Sequence, residues 1–154
     1  MVDEKARLNF RLDHLPRKGG RAVSDGGLRR IFSRALPDAQ WTPVETGATS
    51  QGVPDTEYCF RLGLSGWIEM KRADGWRVRL RTEQIGWLRR RARLGGRCFV
   101  AVRRAGSELY LYSGADAGLL FKEGIRGSAV PLVRLEGGEA QWDWSVVRSV
   151  LTGG

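Results

Sequence analysis

Histidine and cysteine are nearly absent from this chain of 154 residues, which holds one His and two Cys. The single histidine, His14, lies in an N-terminal segment without other candidate catalytic residues, so Ser-His-Asp and Cys-His catalysis are disfavoured. Cys59 and Cys98 lie in apolar stretches without the spacing of a metal-binding motif. We therefore expect neither a disulfide scaffold nor a structural zinc site, and a reducing compartment suits the chain best.

Long apolar runs are also missing, since none approaches the ~20 residues that a membrane span requires. The first residues lack the apolar core of a secretory signal, and we therefore expect a cytoplasmic protein that does not contact membranes. A hydrophobic fraction of 42% is nevertheless enough for a packed interior. We interpret residues 1–23 as a basic, flexible arm that orders on its partner, and residues 24–154 as a single domain.

Lysine is rare compared with arginine, because only 4 of the 26 basic residues are Lys. The formal net charge is +9, and the segment from Lys71 to Arg104 carries 12 basic residues against two acids, a net charge of +10. The planar guanidinium group suits bidentate phosphate contacts, so this concentration predicts a polyanionic partner. A basic surface that serves only solubility is the alternative.

The periodicity of apolar residues predicts a mixed α/β fold with a β-β-α-β-β core. We predict a first helix capped by Ser24 and ending before Pro37, then a loop of small residues over 46–52 where a ligand can approach the backbone. Extended segments are predicted over Trp41–Glu45, Asp55–Leu62, Trp67–Lys71, Cys98–Val102, Glu108–Tyr112 and Ala129–Leu135. Helices are predicted over Thr82–Arg93, with Thr82 as its cap, over Ala115–Lys122 and over Trp142–Leu151.

Two acids and a lysine stand at a spacing typical of hydrolytic chemistry. Asp55 precedes Glu69 by 14 residues, and Lys71 follows Glu69 on the same face of the second predicted strand. On neighbouring strands the two carboxylates would lie side by side, and a divalent cation would relieve their repulsion. Mg²⁺, for which Mn²⁺ can substitute, is the expected ion. Lys71 would then orient a water molecule or stabilise charge on a phosphate.

These residues resemble the signature of the PD-(D/E)XK nuclease superfamily, in Pro54-Asp55 followed by Glu69-x-Lys71. A longer pattern is similar to the VRR-NUC domain and its phage-encoded relatives, and the same core resembles Holliday junction resolvases. The segments that carry the similarity to the VRR-NUC domain are residues 52–55, 66–71, 81–88 and 95–103. The resemblance extends from about Glu45 to Ser113. It implies a restriction-endonuclease-like core, a central sheet flanked by helices, and the host cytoplasm as location if the protein is phage-encoded.

The resemblance also implies roles for individual residues. Asp55 and Glu69 match the metal-binding acids, Lys71 the catalytic lysine, and Gln84 a glutamine that approaches the site from the following helix; a plain surface position is the alternative for Gln84. Relatives often contribute another acid from the first helix, but residues 28–36 contain none. Glu45 is our substitute as a metal ligand, ahead of Asp25.

The basic residues that we expect to contact nucleic acid are Lys71, Arg81, Arg89, Arg91 and Arg93. Trp67 and Trp87 are candidates for stacking on bases, although core packing is the usual role of tryptophan.

The sequence thus predicts a Mg²⁺-dependent deoxyribonuclease, an endonuclease that cuts phosphodiester bonds, with junctions, flaps or nicks as candidate substrates. We expect its site at one edge of the central sheet. DNA is the expected partner, and no organic cofactor is expected. A homodimer is expected if the enzyme resolves junctions, because two symmetric cuts need two sites. Two alternatives stay open: a non-catalytic basic nucleic-acid-binding module with a vestigial nuclease motif, and a structural phage protein.

Overall fold

A computed structural model describes residues 25–45, 47 and 51–154 of the chain. The predicted N-terminal arm over 1–23 and the predicted helix cap Ser24 lie outside the described residues. Most of the loop over 46–52 lies outside them as well.

One mixed sheet organises the described residues, and its six strands lie side by side in the order of the sequence. The strands are β1 Gln40–Pro43, β2 Thr56–Cys59, β3 Ser65–Ala73, β4 Cys98–Arg104, β5 Glu108–Ser113 and β6 Val133–Leu135. β3 and β4 are parallel, whereas every other pair of neighbours in this sheet is antiparallel. A parallel pair needs a crossover connection, and the helix predicted from Thr82 provides it.

Helices cover both faces of the sheet, so the predicted mixed α/β architecture is confirmed. In the described part of the chain they are α1 Leu28–Ala35, α2 Thr82–Arg93, α3 Ala117–Glu123 and α4 Trp144–Leu151. Buried residues of α1 and α4 form one core with one face of the sheet, and buried residues of α2 and α3 form a second core with the other face. The longest of these helices has 12 residues, and none is long and apolar enough to span a bilayer.

Several predicted boundaries are wrong, most clearly at the end of β2. We predicted a strand to Leu62, but β2 ends at Cys59 and the side chain of Leu62 is 96% exposed, with a φ of 64°. The chain has already entered the hairpin loop, since the Phe60 N–H donates to the Leu64 carbonyl at 2.9 Å. Alternation of residue types continued past the point where backbone pairing stops.

Three later predictions placed the start of an element too early. The strand predicted from Ala129 begins only at Val133, and the helix predicted from Trp142 begins at Trp144, after Asp143 caps it by accepting the Ser145 N–H at 3.0 Å. The helix predicted from Ala115 covers Ala117–Glu123.

The cap of α2 differs from the prediction. Thr82 is the first helical residue, and Arg81 takes the cap position, with its N–H donated to the Gln84 side-chain carbonyl at 3.0 Å. Gly52, the last residue of the small-residue loop, packs against this end of the helix with a φ of 92°. A Cβ on Gly52 would clash with the Glu83 carbonyl. At Gly52 the close neighbour is therefore the protein itself rather than a ligand.

Candidate active site

The register of the β2–β3 hairpin brings Asp55 and Glu69 opposite each other. Thr56 is paired with Ile68 in an antiparallel register. The residue before Thr56, Asp55, therefore faces the residue after Ile68, Glu69. Ile68 belongs to the core under α1 and α4, and alternation therefore directs Glu69 and Lys71 to the α2 face. The site lies over the junction of β2 and β3, rather than at an outer edge of the sheet as we expected.

Asp55 is held by backbone and side-chain contacts around its carboxylate. The Asp55 N–H donates to Glu69 Oε2 at 3.0 Å. The Met70 N–H lies 3.3 Å from each of the two carboxylate oxygens of Asp55. The Thr56 hydroxyl donates to Asp55 Oδ1 at 2.9 Å. Burial, together with the negative charge of Glu69, nevertheless raises the pKa of Asp55 to about 7. The site thus favours the protonated form of Asp55, chiefly because the carboxyl group is buried.

Glu69 lies in a closed network with Lys71 and Gln84 and is only 3% exposed. Lys71 Nζ is 3.1 Å from Glu69 Oε1, and Gln84 Nε2 donates to the same oxygen at 2.7 Å. Gln84 Oε1 accepts from Lys71 Nζ at 3.4 Å as well as from the Arg81 backbone. Gln84 is therefore a buried residue of this network, and its alternative as a surface residue of α2 is wrong.

A cavity of about 340 Å³ opens beside these residues. Its lining contains all four acids considered from the sequence, three basic residues and Gln84, namely Asp25, Glu45, Asp55, Glu69, Arg29, Lys71, Arg81 and Gln84. Glu45 and Asp25, our two candidates for a further metal-binding acid, thus line the same cavity as the central pair. Asp25 also accepts the Gly27 N–H at 2.8 Å, which fixes it at the start of α1.

The donor set suits a hard divalent cation bound by few protein groups. Among the described residues, no group of three or more His, Cys, Asp or Glu side chains is arranged to hold a metal ion. Asp55 and Glu69 are two adjacent carboxylates that line one cavity, and Mg²⁺ commonly takes one or two carboxylates and completes its shell with water and phosphate oxygens. The residues present therefore fit such an ion.

Arg29 on α1 is a cavity residue that our sequence reasoning missed. Its Nε donates to the Thr56 hydroxyl at 2.9 Å, and its Nη2 donates to the Asp55 carbonyl at 3.2 Å and lies 3.9 Å from Asp55 Oδ1. The first helix thus contributes a cation to the site instead of an acid. A signal was available, since Arg29 lies three residues before the buried Phe32 and so borders the buried face of the helix.

The arginines predicted to bind nucleic acid divide into two groups. Arg81 lines the cavity together with Lys71, whereas Arg89, Arg91 and Arg93 lie on the later turns of α2, which rises about 1.5 Å per residue away from Gln84. These three therefore do not join Arg81 around the cavity.

Arg91 is engaged with tryptophan. Its guanidinium lies 4.6 Å from the Trp87 ring centroid and 5.8 Å from that of Trp67. The two tryptophans form an edge-to-face pair with centroids 5.4 Å apart and pack against the core under α2. We infer that their role is packing rather than base stacking.

The cysteines are both free thiols, as expected. Cys98 is buried, and burial raises its pKa to about 11. Such a thiol is a poor nucleophile, and Cys98 does not line the cavity of the site.

Comparison with known proteins assigns no family to this chain. No protein-family model matches the sequence, and no curated protein is similar to it at a significant level. Among solved structures, the chain is similar to Hjc of Archaeoglobus fulgidus, described as a Holliday junction resolvase from an archaeal hyperthermophile. The alignment has 12% identity and a TM-score of 0.45, and it covers 75% of this chain and 87% of that one.

Proposed function

We propose that this protein is a divalent-metal-dependent endonuclease that hydrolyses phosphodiester bonds in DNA. One observation carries the proposal: the Asp55 and Glu69 side chains meet at one cavity, with Lys71 Nζ 3.1 Å from Glu69 Oε1. The cavity borders the segment from Lys71 to Arg104, whose net charge is +10. A carboxylate pair and an amine beside a basic surface suit the hydrolysis of a polyanion.

In this reaction a water oxygen attacks phosphorus, the bond from phosphorus to the leaving sugar oxygen breaks, and that oxygen takes up a proton. Asp55 and Glu69 would hold Mg²⁺ or Mn²⁺, and the ion would supply Lewis-acid polarisation of the phosphodiester. Lys71 orients the attacking water or stabilises the negative charge that develops on the phosphate oxygens. Glu45 is our further candidate ligand because it lines the same cavity.

Gln84 acts as a positioning residue for Glu69. Its amide donates to Glu69 Oε1, and the Arg81 backbone N–H holds the other end of the amide. Hydrogen bonds of this kind fix the orientation of a metal-binding carboxylate and raise the affinity of the site for its ion.

The substrate structure follows from how many sites act together. A monomer suits nicks or flaps, whereas a Holliday junction needs two symmetric cuts and so a homodimer. Measurement of the mass in solution, followed by cleavage of labelled junction, flap, nicked and duplex DNA, separates these substrates.

The central experiment is plasmid nicking with Mg²⁺ or Mn²⁺. We expect the wild type to relax supercoiled plasmid and EDTA to stop it, and Asp55→Asn and Glu69→Gln each to lower the rate by about 10³-fold or more. Glu57→Gln is the matched control, because Glu57 lies on β2 two residues from Asp55 but does not line the cavity. Full activity in both site variants would refute the site.

Lys71→Ala separates catalysis from binding. We expect cleavage to fall by about 10²-fold while affinity for DNA in EDTA changes little. The rival function, a non-catalytic nucleic-acid-binding module, makes the opposite prediction: no cleavage with any divalent metal, and tighter DNA binding when Asp55 and Glu69 are neutralised.

A further inference from the structure

A short extended segment over residues 77–81 connects β3 to α2 outside the sheet. Val78 and Leu80 are buried in the core under α2, with 2% and 5% exposure, whereas Arg77, Arg79 and Arg81 are exposed. The alternation means that side chains leave the segment on two opposite sides. One side anchors the segment in the core, and the other presents three arginines in a row.

Both ends of this segment are fixed. At its start, the Trp76 carbonyl accepts the Ile125 N–H at 2.8 Å, and the guanidinium groups of Arg104 and Arg126 lie 3.4 and 3.9 Å from the Trp76 ring centroid. At its end, the Arg81 N–H donates to Gln84 Oε1 in the site network. The arginine row is therefore preorganised, and binding to it costs little backbone entropy.

The position of the row links two cavities. Arg77 and Arg79 line a second, more open cavity of about 640 Å³, together with Lys71 and Arg72. Arg81 and Lys71 line the cavity of the candidate active site. Within the described part of the chain, Arg77 and Arg79 form no ion pair with an acid, and both residues are exposed.

The spacing of the row suits a nucleic-acid backbone. In an extended chain, every second side chain recurs at about 6.6 Å. Phosphates of one DNA strand rise by about 3.4 Å along the helix axis and also wind around it, so the direct distance between neighbouring phosphates is larger than this rise and comparable with the spacing of the arginines. Successive arginines can therefore contact successive phosphates. We infer that Arg77, Arg79 and Arg81 form an arginine ladder that binds the sugar–phosphate backbone of DNA and leads it to the candidate active site. The inference rests on the proposed function for the identity of the partner.

The test compares the DNA affinity of the wild type and a variant under conditions in which DNA is not cleaved. We would measure fluorescence anisotropy of a labelled DNA duplex in EDTA, from about 50 to 200 mM salt, for the wild type and for Arg77→Ala/Arg79→Ala. We expect the double variant to bind at least about 10-fold more weakly and the slope of log K against log salt to fall by about 2. Thermal unfolding should be unchanged, since both side chains are exposed and form no ion pair with another described residue.

The matched control is Arg61→Ala/Arg90→Ala, which removes the same charge from exposed positions away from both cavities. The DNA affinity of this control variant should stay within about twofold of that of the wild type, since it loses few contacts with DNA phosphates. Equal weakening by the two double variants, or unchanged affinity in the ladder variant, would overturn the inference even if the enzyme cleaves DNA. If the ladder variant alone loses affinity but the wild type cleaves nothing, the ladder stands as a binding surface and the proposed nuclease activity fails.

Discussion

The two faces of the sheet are built from different kinds of contact. Under α1 and α4 the core is rich in aromatic rings: the Phe32 centroid lies 5.8 Å from that of Trp41 and 5.2 Å from that of Trp144. Under α2 and α3 the core also contains aromatic rings, such as the stacked Tyr110 and Tyr112, but the buried side chains of Glu69 and Gln84 lie at its border. One face is closed by apolar packing, and the other admits buried charge.

This difference separates stability from chemistry. Burial of large apolar rings stabilises the fold, whereas a buried carboxylate costs free energy unless it is paired and hydrogen-bonded. The α2 face bears that cost at Asp55 and Glu69, and the α1 and α4 face compensates for it. Substitutions on the first face should change stability, and substitutions on the second should change activity.

The largest effect is expected from Phe32→Ala, because Phe32 is fully buried. Loss of the ring should lower the free energy of unfolding by about 3–5 kcal/mol, as measured by urea denaturation. The matched control is Phe121→Ala on α3, whose side chain is 48% exposed and should cost less than about 1 kcal/mol. Equal costs at the two positions would show that burial under α1 does not determine the cost of losing the Phe32 ring.

Gln84→Ala should change activity more than stability. Without the donor to Glu69 Oε1, the carboxylate loses its fixed orientation, and we expect the Mg²⁺ concentration for half-maximal cleavage to rise about 10-fold. Glu83→Ala, in the exposed first turn of the same helix, serves as the control. If both variants have the same metal dependence, Gln84 does not position a metal ligand.

Asp55→Asn should stabilise the metal-free protein in a pH-dependent way. The pKa of Asp55 is raised from 3.8 to about 7 in the fold, so the folded state binds its proton more tightly than the unfolded state does. The stability that protonated Asp55 contributes to the wild type is therefore present below about pH 4 and is lost as the pH rises to about 7. The melting temperature in EDTA should exceed that of the wild type, by a margin that grows from pH 5 to pH 8. A difference in melting temperature that stays constant from pH 5 to pH 8 would show that it does not come from the titration of Asp55.

The smallest effects concern two tyrosines on opposite faces. The hydroxyl of Tyr58, on the face under α1 and α4, donates to the Leu151 carbonyl at 2.5 Å. Tyr58→Phe should therefore lower the free energy of unfolding by about 0.5–1.5 kcal/mol. The buried hydroxyl of Tyr112, on the face under α2 and α3, has no hydrogen-bond partner among the described residues. Tyr112→Phe should leave stability unchanged or raise it by up to about 1 kcal/mol in thermal unfolding. A loss of stability at Tyr112 would mean that its hydroxyl has a partner in solution.

Much of the framework could be predicted because it depends on local patterns. Alternation along Trp67–Lys71 reports which side chains face the core, and the spacing of Ile85 and Leu88 reports a helix that packs by one side. A short hairpin restricts register, so the meeting of Asp55 with Glu69 was also predictable. The ends of elements were less predictable, because alternation at Leu62 continues where the loop has already begun.

The surroundings of the site could not be predicted in the same way. Arg29 reaches Asp55 only because α1 packs beside the start of β2, and the sequence distance between them contains no such information. The charge of Arg91 predicted a phosphate contact, and its position 4.6 Å from the Trp87 ring centroid could not be read from the sequence. The choice of basic residues near the site thus depended on packing between distant elements.

The sequence by itself determined that Glu69 and Lys71 share a face and that a hairpin brings Asp55 to them, since side-chain alternation and short turns follow from covalent geometry. Tertiary structure alone decided that Asp25, Glu45 and Arg29 line one cavity and that the arginines of 77–81 lead into it. Those neighbours come from separate elements, and their distances are set by how helices pack on the sheet rather than by any local pattern.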